Sequence, residues 1–411
     1  MKLNKPGIGV IGANARAVAE SAKRAGFETY LVDYFSDIDT LKSTGHVFSM
    51  QKNPLMPNFR QEYSREKLAD FAIEKLKGKV EDVLLASSIG SDYGMIEKLE
   101  NIFKILGNDS GKVKKARDWR IIKKTFDEFK IKYPGTLIVD SFTGLKNLIK
   151  NSNFDYPVIV KPSIEKEFQI KMASDKFQLN NFLYETLEKF KINDKKLHGK
   201  ILIQEFIDGI PVSASILSDG KNPVTISINR QLIGVCELNS PGRFTYCGHA
   251  TPADLTPDIK REISEISNKI ISSIGLVGSV GIDFVISGDE IYFMEINPRF
   301  QDTLESVEKY RNINLVEKHL EALNGNLDTK LLKSSGNHPE KYLAKGILFA
   351  DKKIKIGNLN IIPCIHDIPR EGTVINEGEP VCTISVFGKN EPEALKNLFK
   401  NAGLIKDEFI R

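Results

Sequence analysis

Apolar and polar positions alternate along the chain in two rhythms, and the changes of rhythm mark its elements. Residues 7–11 read as a buried strand, 13–25 as an amphipathic helix and 29–33 as a second strand, a β–α–β opening. Residues 82–87 predict a further strand. The polar run Ser87-Ser88-Ile89-Gly90-Ser91-Asp92 then lies at its carboxyl end, where open α/β sheets place ligands. Helices are expected over 96–106, 117–129 and 142–149, with the turn Tyr133-Pro134-Gly135-Thr136 before new strands. Residues 155–162 form a short buried strand carrying Lys161 before a proline, and 200–209 another that includes Gln204, Glu205, Phe206 and Ile207. Strands over 212–217 and 224–229 and a helix over 256–274 follow. From Gly336 onward short strands and turns predominate, at 342–350, 354–356, 361–362, 373–375 and 381–386, before a last helix over 391–402. This region reads as separate from what precedes it.

The most informative stretch is a hairpin. Residues 280–286 and 290–296 are β-branched and aromatic runs joined by Ser287-Gly288-Asp289, so they should pair antiparallel. Alternation puts Gly281, Asp283 and Val285 on one face. Ile291, Phe293, Glu295 and Asn297 continue that face on the second strand. Asp283 then lies opposite Glu295 or one residue away. Two carboxylates inside apolar strands repel and are costly to bury unless a cation neutralises them, and oxygen-only ligands of this kind suit Mg²⁺ bridged to phosphates. Pro298 fixes the strand exit, and Arg299 follows with a guanidinium fork suited to a phosphate or oxyanion.

Other features narrow the reading. Gly7, Gly9 and Gly12 formally match G-x-G-x-x-G, with Asp33 where a ribose-binding acid would sit. The first two fall in or before the strand rather than in the turn after it, which argues against a dinucleotide site. The 411 residues allow two to four domains, and the 58 basic and 54 acidic residues, net +4, are interspersed and do not indicate nucleic acid. The densest basic cluster, Lys112, Lys114, Lys115 and Arg117, reads as a solvated helix face. The 4 cysteines lack C-x-x-C spacing, which fits a reducing cytoplasm, and the 6 histidines are scattered, against a zinc site. No apolar run approaches a membrane span. Arg230, Arg243, Tyr246 and His249 lie in a polar, aromatic stretch that reads equally as a pocket-lining loop or as a structural turn with a satisfied histidine.

The hairpin motif D-(x11)-E-x-N-x-R, the strand P-V-I-V-K-P ending at Lys161 and the strand 200–209 together resemble the ATP-grasp superfamily, in its carboligase-like branch similar to biotin carboxylase. The resemblance implies an α/β multidomain protein of ATP-grasp fold, with an N-terminal Rossmann-like domain and a small C-terminal β-rich domain. The implied domains are a Rossmann-like one over 1–110, a linker helix and lid over 111–205, a central metal-bearing one over 206–335 and a β-barrel-like one over 336–411. It implies ATP and one or two Mg²⁺ ions, with Mn²⁺ as a substitute, Asp283, Glu295 and Asn297 being the ligands and Arg299 steadying the reacting group. Lys161 inherits contact with nucleotide phosphates, and Gln204 to Ile207 the adenine hinge, where Glu205 accepts from the exocyclic amine. Arg230 joins Arg299 and Lys161 as a catalytic candidate.

Departures from the family pattern are visible too. The segment 163–169 after Lys161 holds no glycine, so Lys166 is a candidate to replace a phosphate loop, and Pro211 stands where many relatives carry a ribose acid. Carboxylating relatives place a glutamate base where this chain has Thr303, with Glu305 nearby, and no A-M-K-M biotinylation site is present. The expected activity is therefore an ADP-forming carboxylate–amine ligase on small molecules, cytoplasmic, without nucleic-acid or membrane partners; the sequence does not set the oligomeric state, and many relatives dimerise. A bicarbonate-dependent carboxylase and a non-catalytic nucleotide-binding protein are the alternatives.

Overall fold

The structure is a computed structural model that describes residues 5–139, 144, 147–148, 154–162, 170–191, 201–334 and 341–409. Most of the helix expected over 142–149, and the segment 163–169 with Lys166, lie outside the described residues. The chain divides into two compact units: Met1–Thr125, Pro211–Asp283 and Glu295–Arg411 form the first, Phe126–Ile210 and Phe284–Met294 the second.

The first unit opens with a parallel sheet of β1 (Lys5–Ile11), β2 (Phe27–Asp33), β3 (His46–Ser49), β4 (Asp82–Leu85) and β5 (Lys104–Ile105), in the order β3-β2-β1-β4-β5. Both faces are covered, as parallel sheets require. On one face Ile8, Val10, Leu31 and Leu84 meet Val18, Ala19 and Ala22 of the helix Arg16–Arg24. On the other, Ile11, Val32, Val83 and Leu85 meet Leu68, Ala72 and Leu76 of the helix Arg65–Leu76. Each fully buried valine, leucine or isoleucine among them contributes roughly 1.5–3 kcal/mol. Gly9 sits where a Cβ would come within 2.8 Å of Val83 Cγ1, so helix and strand packing accounts for this glycine without a dinucleotide. The expected helix over 96–106 is corrected. It spans Tyr93–Glu100, started by Asp92 accepting from the amides of Gly94 and Met95, and the chain then turns into β5 beside β4. The helix expected over 117–129 is Trp119–Phe129, starting two residues later after Asp118, whose carboxylate accepts from the amide of Arg120 at 3.0 Å, and a further helix, Ser110–Arg117, precedes it.

The second unit is built on an antiparallel sheet of β6 (Thr136–Val139), β7 (Val158–Pro162), β8 (Lys171–Ala173) and β9 (Ile201–Glu205), in the order β6-β9-β7-β8. Val139, Val158, Val160, Ile201 and Ile203 bury against Leu179 and Leu183 of the helix Lys176–Lys191.

The remaining strands are β10 (Ile210–Asp219), β11 (Val224–Ile233), β12 (Tyr246–Thr251), β13 (Val277–Ser287), β14 (Glu290–Asn297), β15 (Tyr342–Phe349), β16 (Ile354–Lys355), β17 (Ile365–His366), β18 (Val374–Ile375) and β19 (Pro380–Gly388). Eight of them make one sheet in the order β14-β13-β10-β11-β12-β15-β19-β17, and β16 and β18 form a small ribbon. Two sequence expectations change here. The stretch holding Tyr246 and His249 is a strand, not a loop. The C-terminal strands, expected to stand apart, continue the same sheet through β12 and β15. Gly248 permits that junction. At φ +136° a Cβ there would lie 2.0 Å from the carbonyl oxygen of Lys345, which no side chain tolerates. The last helix runs Glu391–Phe409, past the expected end at Ala402, because Leu398, Ala402 and Ile405 all bury in the cluster beneath β15 and β19.

Candidate active site

The base of the β13–β14 hairpin belongs to the first unit, and its geometry is that of a charge conflict left open. Asn297 Nδ2 donates to Asp283 Oδ2 at 3.0 Å, while Asp283 Oδ1 is buried without a hydrogen-bond partner. Burial, and then the neighbouring Glu295 carboxylate, push Asp283 up to about 6, against the pull of Ser213, Asn297 and Arg299. Glu295 in turn is held by Arg117 Nη1. Arg117, assigned from the sequence to a solvated face, is thus an ion partner of the site, with its side chain only 19% exposed.

Arg299 is fixed by its surroundings. Its Nε donates to Ser91 Oγ at 2.8 Å and its Nη1 to the carbonyl of Phe300 at 3.0 Å. Ser91 lies in the polar loop after β4, so the carboxyl end of the parallel sheet and the hairpin exit meet here. Gln301 crosses beneath, donating to Ser213 Oγ at 2.6 Å and accepting from Ser215 Oγ at 3.1 Å. It does so through the space above Gly281, where a Cβ would fall 2.0 Å from Gln301 Cδ. Thr303, at the position of a carboxylase base, is buried and bonded to Ser215 Oγ at 3.0 Å.

Beside these residues is a cavity of about 290 Å³, with Asn14, Asp37, Tyr246, His249, Asp302 and Lys345 in its wall. Tyr246 Oη bonds His249 Nδ1 at 2.8 Å and His249 Nε2 bonds Ser306 Oγ at 2.7 Å. Burial, with Lys345 adding to it, lowers His249 to about 3, so the imidazole is neutral, and burial with Asp302 and Asp283 raises the Tyr246 phenol well above its ordinary value. Arg16, 1% exposed, donates to Asp367 Oδ1 at 2.8 Å and clasps Glu305 with bonds of 2.9 and 3.1 Å. Lys345 also pairs with Glu305. Burial opposes the Glu305 charge, but Lys345 and Arg16 outweigh it and keep the carboxyl well below its usual range. Glu305 is therefore held as an anion between two cations.

Among the described residues no group of three His, Cys, Asp or Glu side chains converges as a metal cluster. Two carboxylates and a carboxamide do converge, with one buried carboxylate oxygen unused, and that donor set fits a hard cation completed by phosphate oxygens and water.

A family model described as an ATP-grasp domain matches residues 123–303. The fold of the chain is that of the ATP-grasp enzymes. An uncharacterized protein of Methanocaldococcus jannaschii is 29% identical over 91% of this chain and 86% of its own length. The L-amino acid ligase of Bacillus licheniformis superposes with a TM-score of 0.70 at 14% identity, covering 100% of this chain and 99% of that one. The biotin carboxylase domain of the Hydrogenobacter thermophilus 2-oxoglutarate carboxylase, a dimer in complex with MgADP, ADP and bicarbonate, does so with a TM-score of 0.74 at 16% identity, covering 98% and 90%. At these identities the likeness establishes the ATP-grasp fold.

The other residues expected from the ATP-grasp pattern are placed as follows. Lys161 is on β7, paired across the ladder with Leu202 and partly buried. Gln204 is buried, its Nε2 donating to Thr136 Oγ1 at 2.8 Å. The Glu205 amide donates to the Gly135 carbonyl and the Phe206 amide to the Pro157 carbonyl, so neither is open to a nucleobase. Arg230, on β11, faces Glu391 at 3.7 Å and is not in the cavity wall, and Arg243 is exposed on the turn before β12. Sequence reasoning missed Arg117 and Arg16. Only Arg16 carried a hint, a basic residue interrupting an apolar helix face. Among the described residues no helix is long and apolar enough to cross a membrane.

Proposed function

We propose that this ATP-grasp protein is an ADP-forming ligase that joins a small-molecule carboxylate to an amine through an acyl phosphate. The observation that carries the reading is the buried, unpartnered Asp283 Oδ1 set against Glu295, with Asn297 and Arg299 completing the face. In the first step a substrate carboxylate oxygen attacks the γ-phosphorus, the bond to the β,γ-bridging oxygen breaks, and ADP leaves. In the second the amine nitrogen attacks the acyl carbon, the carbon–oxygen bond to phosphate breaks, and the amine proton passes to solvent or phosphate.

One or two Mg²⁺ ions, with Mn²⁺ as a substitute, held by Asp283, Glu295 and Asn297 would supply charge neutralisation to the phosphate oxygens. The Arg299 fork, fixed by Ser91, stabilises oxyanion charge without reorganising. In the second unit Lys161 contacts phosphates. With the Glu205 and Phe206 amides committed, the Ile207 amide and nearby carbonyls read the base edge, and the Glu205 carboxylate accepts from the exocyclic amine. A homodimer is the expected assembly, the similar carboxylase domain having been solved as one.

The bicarbonate-dependent alternative lacks a base here, since Thr303 is bonded to Ser215 and Glu305 is locked by Arg16 and Lys345. The deciding experiment measures ADP release from Mg-ATP against carboxylates crossed with amines, with Glu295→Gln as control. Turnover needing one acid and one amine, and lost in the variant, supports the ligase. Turnover on bicarbonate alone moves the assignment to a carboxylase, and ATP binding without turnover on any pair favours the non-catalytic alternative.

A further inference from the structure

Attack of an amine on an acyl phosphate leaves a proton to be taken from the nitrogen, and the cavity wall decides which group takes it. Of the charged side chains there, Arg16, Lys345 and Asp367 are engaged with one another or with Glu305. Glu379 accepts from the amide and the side chain of Asn376. Asp37 is driven toward its neutral form by burial and by the carboxylates of Asp367, Asp33 and Asp39. His249, lowered to about 3 by burial and then by Lys345, is too weak a base. Asp302 and Arg370 remain, both exposed, their side chains without a hydrogen bond or ion pair among the described residues. Of these two only Asp302 can accept a proton.

Asp302 also stands at the reacting end. It follows Arg299 and Phe300 in a segment anchored on either side of it, Gln301 being bonded to Ser213 and Ser215 and Thr303 to Ser215. Its carboxylate is thus carried on backbone fixed against β10 and borders the cavity. Near it is Tyr246 of β12, whose Oη is held by His249 Nδ1 at 2.8 Å, while His249 Nε2 is held by Ser306 Oγ at 2.7 Å. His249 and Ser306 are fully buried, so this chain of bonds fixes the phenol from behind. Apart from burial, the charges acting on the phenol are first Asp302, then Asp283 and Arg299, which places Tyr246 between the cavity carboxylate and the hairpin. In either tautomer of the imidazole, Tyr246 Oη keeps a lone pair able to accept from an N–H in the cavity.

We propose that Asp302 is the general base for the amine, taking one proton from the attacking nitrogen while Tyr246 Oη holds that nitrogen by its other N–H. This rests on the ligase reading. The nitrogen lone pair forms the bond to the acyl carbon, the carbonyl pair moves onto oxygen, and the nitrogen becomes cationic and therefore acidic. Its proton passes to an Asp302 carboxylate oxygen. The oxygen pair then returns, the carbon–oxygen bond to phosphate breaks, and phosphate leaves. Asp302, being exposed, gives the proton up to water. His249 and Ser306 are positioning residues that act through the phenol.

The test separates the two steps by the nucleophile. Hydroxylamine is neutral at pH 7 and attacks acyl phosphates without a base, so ADP release and hydroxamate formation by the full chain with hydroxylamine and each carboxylate report the first step. Primary amines in its place report both steps. Asp302→Asn should keep the hydroxylamine rate close to wild type and lower the amine-dependent kcat about 10²–10⁴-fold, the scale of general acid–base catalysis. Asp302→Glu should recover part of that rate, and Tyr246→Phe should raise KM for the amine while leaving KM for the acid unchanged. With no partner to lose, the Asp302→Asn chain should melt with wild type. If it does not fold, Asp302→Glu carries the test, because its ratio of amine to hydroxylamine kcat must fall. Equal losses with both nucleophiles, or an undiminished amine rate in the Asp302 variants, overturn the proposal and leave the ligase. A wild-type chain that releases no ADP with any acid and either nucleophile overturns the ligase reading itself, and this inference with it.

Discussion

Two clusters of buried charge in the first unit differ in one respect. In the Arg16 cluster opposite charges meet directly: the guanidinium bonds Asp367 and both oxygens of Glu305, and Lys345 meets Glu305 as well. At the hairpin, Asp283 faces another carboxylate and keeps one oxygen unused. The first arrangement is complete in the folded chain, and the second leaves a buried carboxylate oxygen unanswered, where the proposed cation would bind. Removing a charge should therefore harm the fold in the first cluster and the activity in the second.

The sharpest break of that contrast is Arg16→Met. It leaves Asp367 and Glu305 with less compensation in a buried setting, which costs about 3–5 kcal/mol when one partner of such a pair is lost. The denaturant midpoint of the first unit should fall accordingly. A fall of under about 1 kcal/mol would mean that the cluster is solvated. Asp283→Asn should do the opposite. With the repulsion to Glu295 gone, stability stays level or rises, while ADP release drops about 10²–10³-fold, the scale for losing one preorganised charge contact in a transition state. Equal loss of both would erase the distinction between the clusters.

How much of this was legible follows from sequence separation. The hairpin was readable because period-two alternation and the Ser287-Gly288-Asp289 turn are local, and they place Asp283, Glu295 and Asn297 on one face. The partners were not. Arg117 reaches Glu295 across 178 residues, and Arg16 reaches Glu305 and Asp367 across 289 and 351, distances over which no pattern signals a contact. The break at Asp118 carried a signal, an aspartate capping the next helix, but helical periodicity on both sides concealed it. The joining of β12 to β15 turned on Gly248, which reads as one glycine of a loop until its neighbour Lys345 is known. Local chemistry was legible, and long-range neutralisation was not.

His319 offers a third condition, a buried polar group satisfied while neutral. Its Nδ1 accepts from the Ser279 amide at 2.7 Å and its Nε2 meets the Leu106 carbonyl at 3.0 Å. Burial lowers its pKa to about 4, below the unfolded value of about 6.5. Between those values the unfolded chain binds the extra proton, so this contribution is present above pH 6.5 and is lost as pH falls toward 4, up to about 3 kcal/mol. Asp33, raised to about 7 by burial, acts with the opposite sign, its contribution falling as pH rises from about 4 to 7. The measurement is therefore a difference: His319→Asn should be less stable than wild type at pH 7, and the gap should close by pH 4. A constant gap would show that His319 does not titrate on unfolding.

The smallest effect concerns the hairpin cluster alone. Gly281→Ala puts a methyl group where Gln301 passes, and overpacking of this kind costs about 1–3 kcal/mol. Gln301 is bonded to Ser213 and Ser215 on β10, two residues after Arg299, so the strain falls on the Arg299 side of the site and not on the Arg16 cluster. ADP release should then fall along with stability. If the close approach is the cause, Gly281→Ala combined with Gln301→Ala will be more stable than the sum of the single losses, because the second change removes the atoms that the first one meets. Strict additivity would place the need for glycine in the β13 backbone itself and leave Gln301 a bystander.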